Sequence, residues 1–98
     1  MDLSVIVPVF NEAQNLHPLY EQLQEALDAS AVDYEIIAID DGSRDDSFVI
    51  LKELHEQDPS LKVIRFRRNY GQTAAFAAGF DLAQGDVVIT MDLSLIHI

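Results

Sequence analysis

Two adjacent carboxylates, Asp40 and Asp41, followed by Gly42-Ser43, are the residues of this chain best suited to chemistry, with a further acid at Asp92. A pair of this kind can accept hydrogen bonds from a base or a ribose, or approach a divalent cation, and Gly42 permits the tight turn that presents it. Adjacent acids also repel each other, so a neutralising ligand is the expectation for Asp40 and Asp41. The competing reading is a helix N-terminus decorated with acids, which suits Ser43, Asp45 and Asp46 better. Asp92 is a lone strand-end acid; it can share a cation with Asp41 only where their strands are close.

Two further polar clusters accompany the acids. Pro8-Val9-Phe10-Asn11-Glu12 combines a rigid turn, an aromatic ring and two polar side chains. Phe10 either covers the edge of the core or meets a ligand, and Asn11 either forms an Asx turn or does the same. In the cluster Arg68-Asn69-Tyr70-Gly71, Arg68 stands evenly between answering a ligand phosphate and balancing the acidic surface, whereas Arg65 and Arg67 read as surface. His17, His55 and His97 have no metal-ligand spacing, and neither Gly-x-Gly-x-x-Gly nor Gly-x4-Gly-Lys-Ser/Thr occurs.

Composition narrows the ligand. Six Lys and Arg against 17 Asp and Glu leave a formal charge of -11, which argues against nucleic acid and anionic membranes as general partners. A phosphate-bearing ligand therefore needs a cation brought with it, and a divalent metal held by carboxylates supplies one. The absence of cysteine removes disulfides, zinc-thiolate sites and cysteine nucleophiles, and is compatible with a cytoplasmic setting. Asp2 and the short apolar run ending at Pro8 fit neither a signal peptide nor a membrane span.

The elements that must position these clusters alternate. Leu3 to Val9 is an apolar, β-branched run of the kind buried on both faces of a parallel sheet, with Pro8 marking its end. Leu16, Leu19, Tyr20, Leu23, Ala26 and Leu27 follow at helical spacing, with Asn15 as N-cap and Pro18 in the first turn. Tyr34 to Ile39 is a second strand; Ser43 and Asp46 cap a second helix marked by Ile50, Leu51 and Leu54. Lys62 to Phe66, roughly Gln72 to Ala83, and Val87 to Met91 complete a βαβαβαβ order. Its fold class is α/β, a parallel sheet with right-handed crossovers and helices on its faces, so each polar cluster falls at the carboxyl end of a strand, where such sheets bind ligands. The small residues Ala74, Ala75, Ala77, Ala78 and Gly79 let the third helix pack closely on the sheet.

The stretches Ser4 to Glu12, Ile39 to Ser43, Arg68 to Gln72, Gly85-Asp86 and Met91-Asp92, in this order and spacing, resemble the nucleotide-binding half of family 2 glycosyltransferases with the GT-A (Rossmann-like) fold, in particular the polyprenyl-phosphate sugar transferases. The resemblance implies that Pro8, Phe10, Glu12 and Asp41 line the pocket for the base and ribose of a UDP- or GDP-linked sugar, with Asp40 supporting the turn; Arg68 and Gly71 belong to the same nucleotide-binding set. It implies that Asp92 opens an Asp-x-Asp motif binding Mg2+ or Mn2+ against the diphosphate, and that a polyprenyl-phosphate acceptor attacks the anomeric carbon with inversion.

The pattern breaks where Ser94 stands in place of the second acid. A neutral hydroxyl is a poorer ligand for a hard dication, so metal affinity is expected to be weakened. Residues 1–92 are expected to form a partial glycosyltransferase domain and 93–98 an atypical tail of foreign origin, giving a chain that binds nucleotide but lacks the catalytic base and acceptor site. Its parent enzyme would work at the cytoplasmic face of the membrane. An exposed edge at the fourth strand is expected to favour self-association. Two alternatives remain: a receiver-like Mg2+-binding signalling domain, which would place its acid pair after the first strand, and a structural fragment with no ligand.

Overall fold

A computed structural model describes residues 1–91; Asp92, Ser94 and the tail 93–98 lie outside the described residues. The element order is β1 (Leu3–Val9), α1 (Ala13–Ala29), β2 (Tyr34–Asp40), α2 (Ser47–Gln57), β3 (Leu61–Arg65), α3 (Gln72–Leu82) and β4 (Val87–Thr90). All strands are parallel, in the order β3-β2-β1-β4. The α/β class and the alternation are as expected from the sequence.

Central β1 and β2 are buried along most of their length because helices cover both faces. On one face Val5, Val7, Val9, Ile36, Ala38 and Leu61 meet Leu16, Tyr20 and Leu27 of α1 and Leu51 and Leu54 of α2. On the other, Ile6, Ile37 and Ile39 meet Ala75 of α3, and a side chain at Gly79 would come within 2.5 Å of Ile6, so the small residues set how closely α3 approaches.

Three boundaries differ from the sequence reading. β1 runs through Pro8 to Val9 instead of stopping at the proline. Ile6 accepts from Met91 N–H on the β4 side and Val9 accepts from Asp41 N–H on the β2 side. By alternation the missing N–H of Pro8 faces the β4 side, past the last described β1–β4 pair, Ile6 with Thr90. α1 starts at Ala13, so Asn15 is not its cap and Pro18 lies inside the helix. The early start follows from acceptors just before and at the start of α2: Ser47 Oγ takes the Glu12 N–H at 2.9 Å and Asp45 Oδ2 the Ala13 N–H at 3.2 Å. α2 starts at Ser47 without a cap from Asp46 or Ser43: Asp45 Oδ1 takes the Ser47 N–H at 2.9 Å, and Ser43 faces the first loop.

At the opposite end of the sheet the fully buried Glu35 accepts from Ser4 Oγ (2.5 Å), Lys62 Nζ (2.5 Å) and the Gln84 N–H (2.7 Å), while Ser4 Oγ accepts from Gly85 N–H at 2.8 Å. Burial opposes ionisation of Glu35, but these donors outweigh it and hold its pKa below the ordinary carboxylate value. No described helix is long and apolar enough to cross a membrane.

Candidate functional site

Val9, Asp40 and Arg65 stand in register at the ends of three adjacent strands, so Phe10, Asp41 and Phe66 emerge side by side at the carboxyl edge. Three loops leave from here and are bonded to one another. Asn11, at φ 52°, gives its N–H to Ser43 Oγ at 2.9 Å and accepts the Arg44 N–H at 2.8 Å, fastening the first loop to the second; no Asx turn forms. The second is fastened to the third by Asp41, whose carboxylate accepts from Tyr70 N–H (2.7 Å), Gly71 N–H (3.0 Å) and Asn69 Nδ2 (3.1 Å). Gly42, at φ +73°, lies under this third loop, and a Cβ there would come within 2.2 Å of the Arg68 carbonyl carbon. No other residue fits both the conformation and the contact.

The acid pair is not the open, mutually repelling cluster the sequence suggested. Successive residues of a strand face opposite sides of the sheet. Asp40 turns under the start of α2, where Oδ1 accepts the Ser43 N–H at 3.1 Å and Oδ2 is buried without a partner among the described residues. Asp41 turns toward α3 and is 5% exposed. Their separation relieves the repulsion without a ligand. Of roughly four acceptor positions on the Asp41 carboxylate, the loop takes three, leaving one on Oδ1 among the described residues for a further donor.

The other expected site residues are placed as follows. Pro8 is half-buried in β1, and Phe10 is exposed at the end of this central strand. Glu12 precedes α1, with Oε2 accepting from Asn15 Nδ2 at 3.1 Å. Gly71, at φ +99°, precedes α3, and Arg68 is exposed with its guanidinium 4.9 Å from the Tyr70 ring centre. Asn69 was missed as a positioning residue, although its place beside Gly71 in the third cluster was the available signal. Glu35 was missed too; an acid inside the apolar run of β2, with Lys62 opening the next strand, marks a buried pair.

Among the described residues no three His, Asp or Glu side chains gather as a metal site. Asp41 is unsuited to share a cation with a residue on β4: β2 and β4 flank β1, about 10 Å apart at two strand spacings, and its oxygens face the third loop. The described residues therefore do not form a Mg2+ or Mn2+ site, and Asp92, on which the expected site rests, lies beyond them.

Comparison with known proteins decides the family, for the model of "Glycosyl transferase family 2" matches residues 4–96. The chain belongs to glycosyl transferase family 2. Within that family it is 41% identical over 92 residues to the uncharacterized glycosyltransferase YkcC of Bacillus subtilis, covering 94% of this chain and 28% of the relative. It is 45% identical over 94 residues to an undecaprenyl-phosphate 4-deoxy-4-formamido-L-arabinose transferase of Pseudomonas syringae, covering 95% and 28%. The S. aureus TarS 1-349 structure in complex with UDP superposes with a TM-score of 0.75 at 25% identity, over 94% of this chain and 27% of that one. The mannosyltransferase PcManGT of Pyrobaculum calidifontis, solved with GDP-Man and Mn2+, shares the fold with a TM-score of 0.74 at 24% identity, over 93% and 27%. The chain thus spans little more than a quarter of the length of these relatives, and the receiver-like alternative is not favoured.

Proposed function

We propose that this segment is the donor-binding half of a glycosyltransferase that moves a sugar from a nucleoside-diphosphate sugar, UDP- or GDP-linked, to a polyprenyl-phosphate acceptor with inversion. The observation that carries the reading is the fastening of three strand-end loops around Asp41 at the carboxyl edge of a parallel sheet, within a chain of family 2. Phe10 offers an exposed ring to a base, Asp41 Oδ1 retains one acceptor position for a base or ribose donor, and Pro8 and Glu12 frame the same edge. Asp40 holds the turn, while Arg68 and Gly71 form the flank. The lipid-phosphate acceptor is supported by the name of the Pseudomonas syringae relative. Divalent metal use is supported by the Mn2+ named for PcManGT; for this chain it rests on Asp92, with Ser94 weakening the site. Residues 93–98 remain a proposed foreign tail, and a cytoplasmic, membrane-facing parent is proposed with the acceptor.

Calorimetric titration with UDP and GDP, with and without Mn2+, tests the reading. Saturable heat with one nucleotide, reduced in Phe10→Ala, supports it; the absence of heat with both, in a chain shown to be folded by circular dichroism, overturns it. No turnover is expected from the chain by itself.

A further inference from the structure

Cations are scarce in this chain, yet four of its six, Arg44, Arg65, Arg67 and Arg68, gather at the carboxyl end of the sheet. None makes an ion pair among the described residues, although acids outnumber bases 17 to six. Two are held by rings instead: the Arg65 guanidinium lies 4.3 Å from the Phe48 ring centre, and Arg68 stands over Tyr70. Stacking occupies the flat face of a guanidinium and leaves its in-plane N–H groups free, the arrangement that meets a phosphate in bidentate fashion.

Arg65 and Arg67, two residues apart at the end of β3, line an open cleft with Phe66, Gly42 and Ser43. Ser43 Oγ accepts from the Asn11 N–H, so its own O–H is available to donate into the cleft. This cleft adjoins the proposed nucleotide edge, since Gly42 and Ser43 follow Asp41 and Arg67 precedes Arg68, but it is set toward the outer strand β3. α1 and α2 cover one face and α3 the other, and the strand order reverses between β1 and β4, where ligands of such sheets sit. β3 is the far edge, two strand spacings or roughly 10 Å from β1.

We infer that the Arg65–Arg67 cleft is a second anion site that takes a phosphate group distinct from the phosphates of the donor nucleotide. A soluble phosphorylated molecule and a phospholipid headgroup share this chemistry. The inference stands independently of the nucleotide reading, since the site is defined by its own residues.

The test uses the full chain, with inorganic pyrophosphate in calorimetry as one probe and flotation with phosphatidylglycerol against phosphatidylcholine vesicles as the other, both at about 0.1 M salt, where exposed charges are partly screened. Saturable binding of at least one probe is expected, weakened roughly tenfold or more in Arg65→Gln/Arg67→Gln and unchanged by saturating UDP. Arg65→Lys, which keeps charge but loses the fork, is expected to fall between. Pyrophosphate binding identifies a soluble ligand, and binding confined to phosphatidylglycerol identifies a lipid headgroup. Arg67 makes no ring contact among the described residues, so Arg67→Gln alone serves if the double variant is misfolded. Failure of both probes, binding indifferent to the substitutions, or displacement by UDP overturns the inference, whereas silence of UDP with pyrophosphate bound overturns only the nucleotide reading.

Discussion

β1 and β4 lie side by side and carry the same kinds of residue, yet Ile6 is fully buried and Ile89 is 45% exposed. The difference comes from the layers above and below. β1 has α1 and α2 on one face and α3 on the other, whereas α3 packs over β1 and β2 and leaves all four residues of β4 exposed. An apolar, β-branched run therefore specifies a strand without specifying its cover. The expected apolar edge at β4 is present, while self-association through it is still a proposal.

The largest effect that could break this contrast belongs to one residue type tested in both places. Ile6→Ala is expected to cost about 4 kcal/mol in urea unfolding, because the site is sealed between α3 and the sheet. A loss below 1 kcal/mol would mean that the interior is far looser than its burial implies. Glu35→Ala is expected to cost about 3 kcal/mol, since Ser4, Lys62 and the Gln84 N–H all lose their acceptor. Next comes Gly42→Ala, at about 2 kcal/mol from a strained φ and a backbone clash, with nucleotide binding lost as the second and third loops are pushed apart. Retained affinity in that variant would detach the loops from recognition.

Acid titration sharpens the same point more gently. Glu35 and Asp58 have folded pKa values below their unfolded ones: burial opposes ionisation at both, but hydrogen bonds outweigh it, from Lys62, Ser4 and Gln84 at Glu35 and from Ser60 and Tyr20 at Asp58. Their contribution is present above the unfolded carboxylate range and is lost as pH falls below about 4. Glu35→Gln should flatten that decline in chemical-denaturation midpoints measured from pH 6 down to pH 3. Tyr20 titrates in the other sense: burial, then its hydrogen bond to Asp58, raise its pKa, so its contribution is complete below about pH 10 and is lost above it. The smallest effect is expected for Ile89→Ala, within about 0.5 kcal/mol of the parent chain. A loss above 1 kcal/mol would show that β4 is covered in solution, and sedimentation would reveal whether a second copy provides the cover.

Much of this was legible in the sequence because the signals are periodic. The apolar run of β1 and the helical spacing of Leu16, Leu19, Tyr20 and Leu23 placed their elements to within a few residues, and the polar clusters fell at strand ends. What was illegible depended on contacts between loops. Asn15 looked like a cap, yet the first turn of α1 is met by Asp45 and Ser47, more than 30 residues away. Asp40 and Asp41 looked like a single charged unit; strand alternation sends them to opposite faces, and only the meeting with Asn69, Tyr70 and Gly71 reveals how Asp41 is held.

The polar knot around Glu35 also bears on the order in which the chain can acquire its structure. Its bonds join residues 31, 49 and 81 positions apart: Ser4 to Glu35, Gln84 to Glu35, and Gly85 to Ser4. Closing so long a loop sacrifices chain entropy that local helix formation does not, so these bonds follow the strands they join. A chain emerging in the order of its synthesis supplies Ser4 first and Lys62 next. Glu35 obtains its last donor only after the third helix has ended.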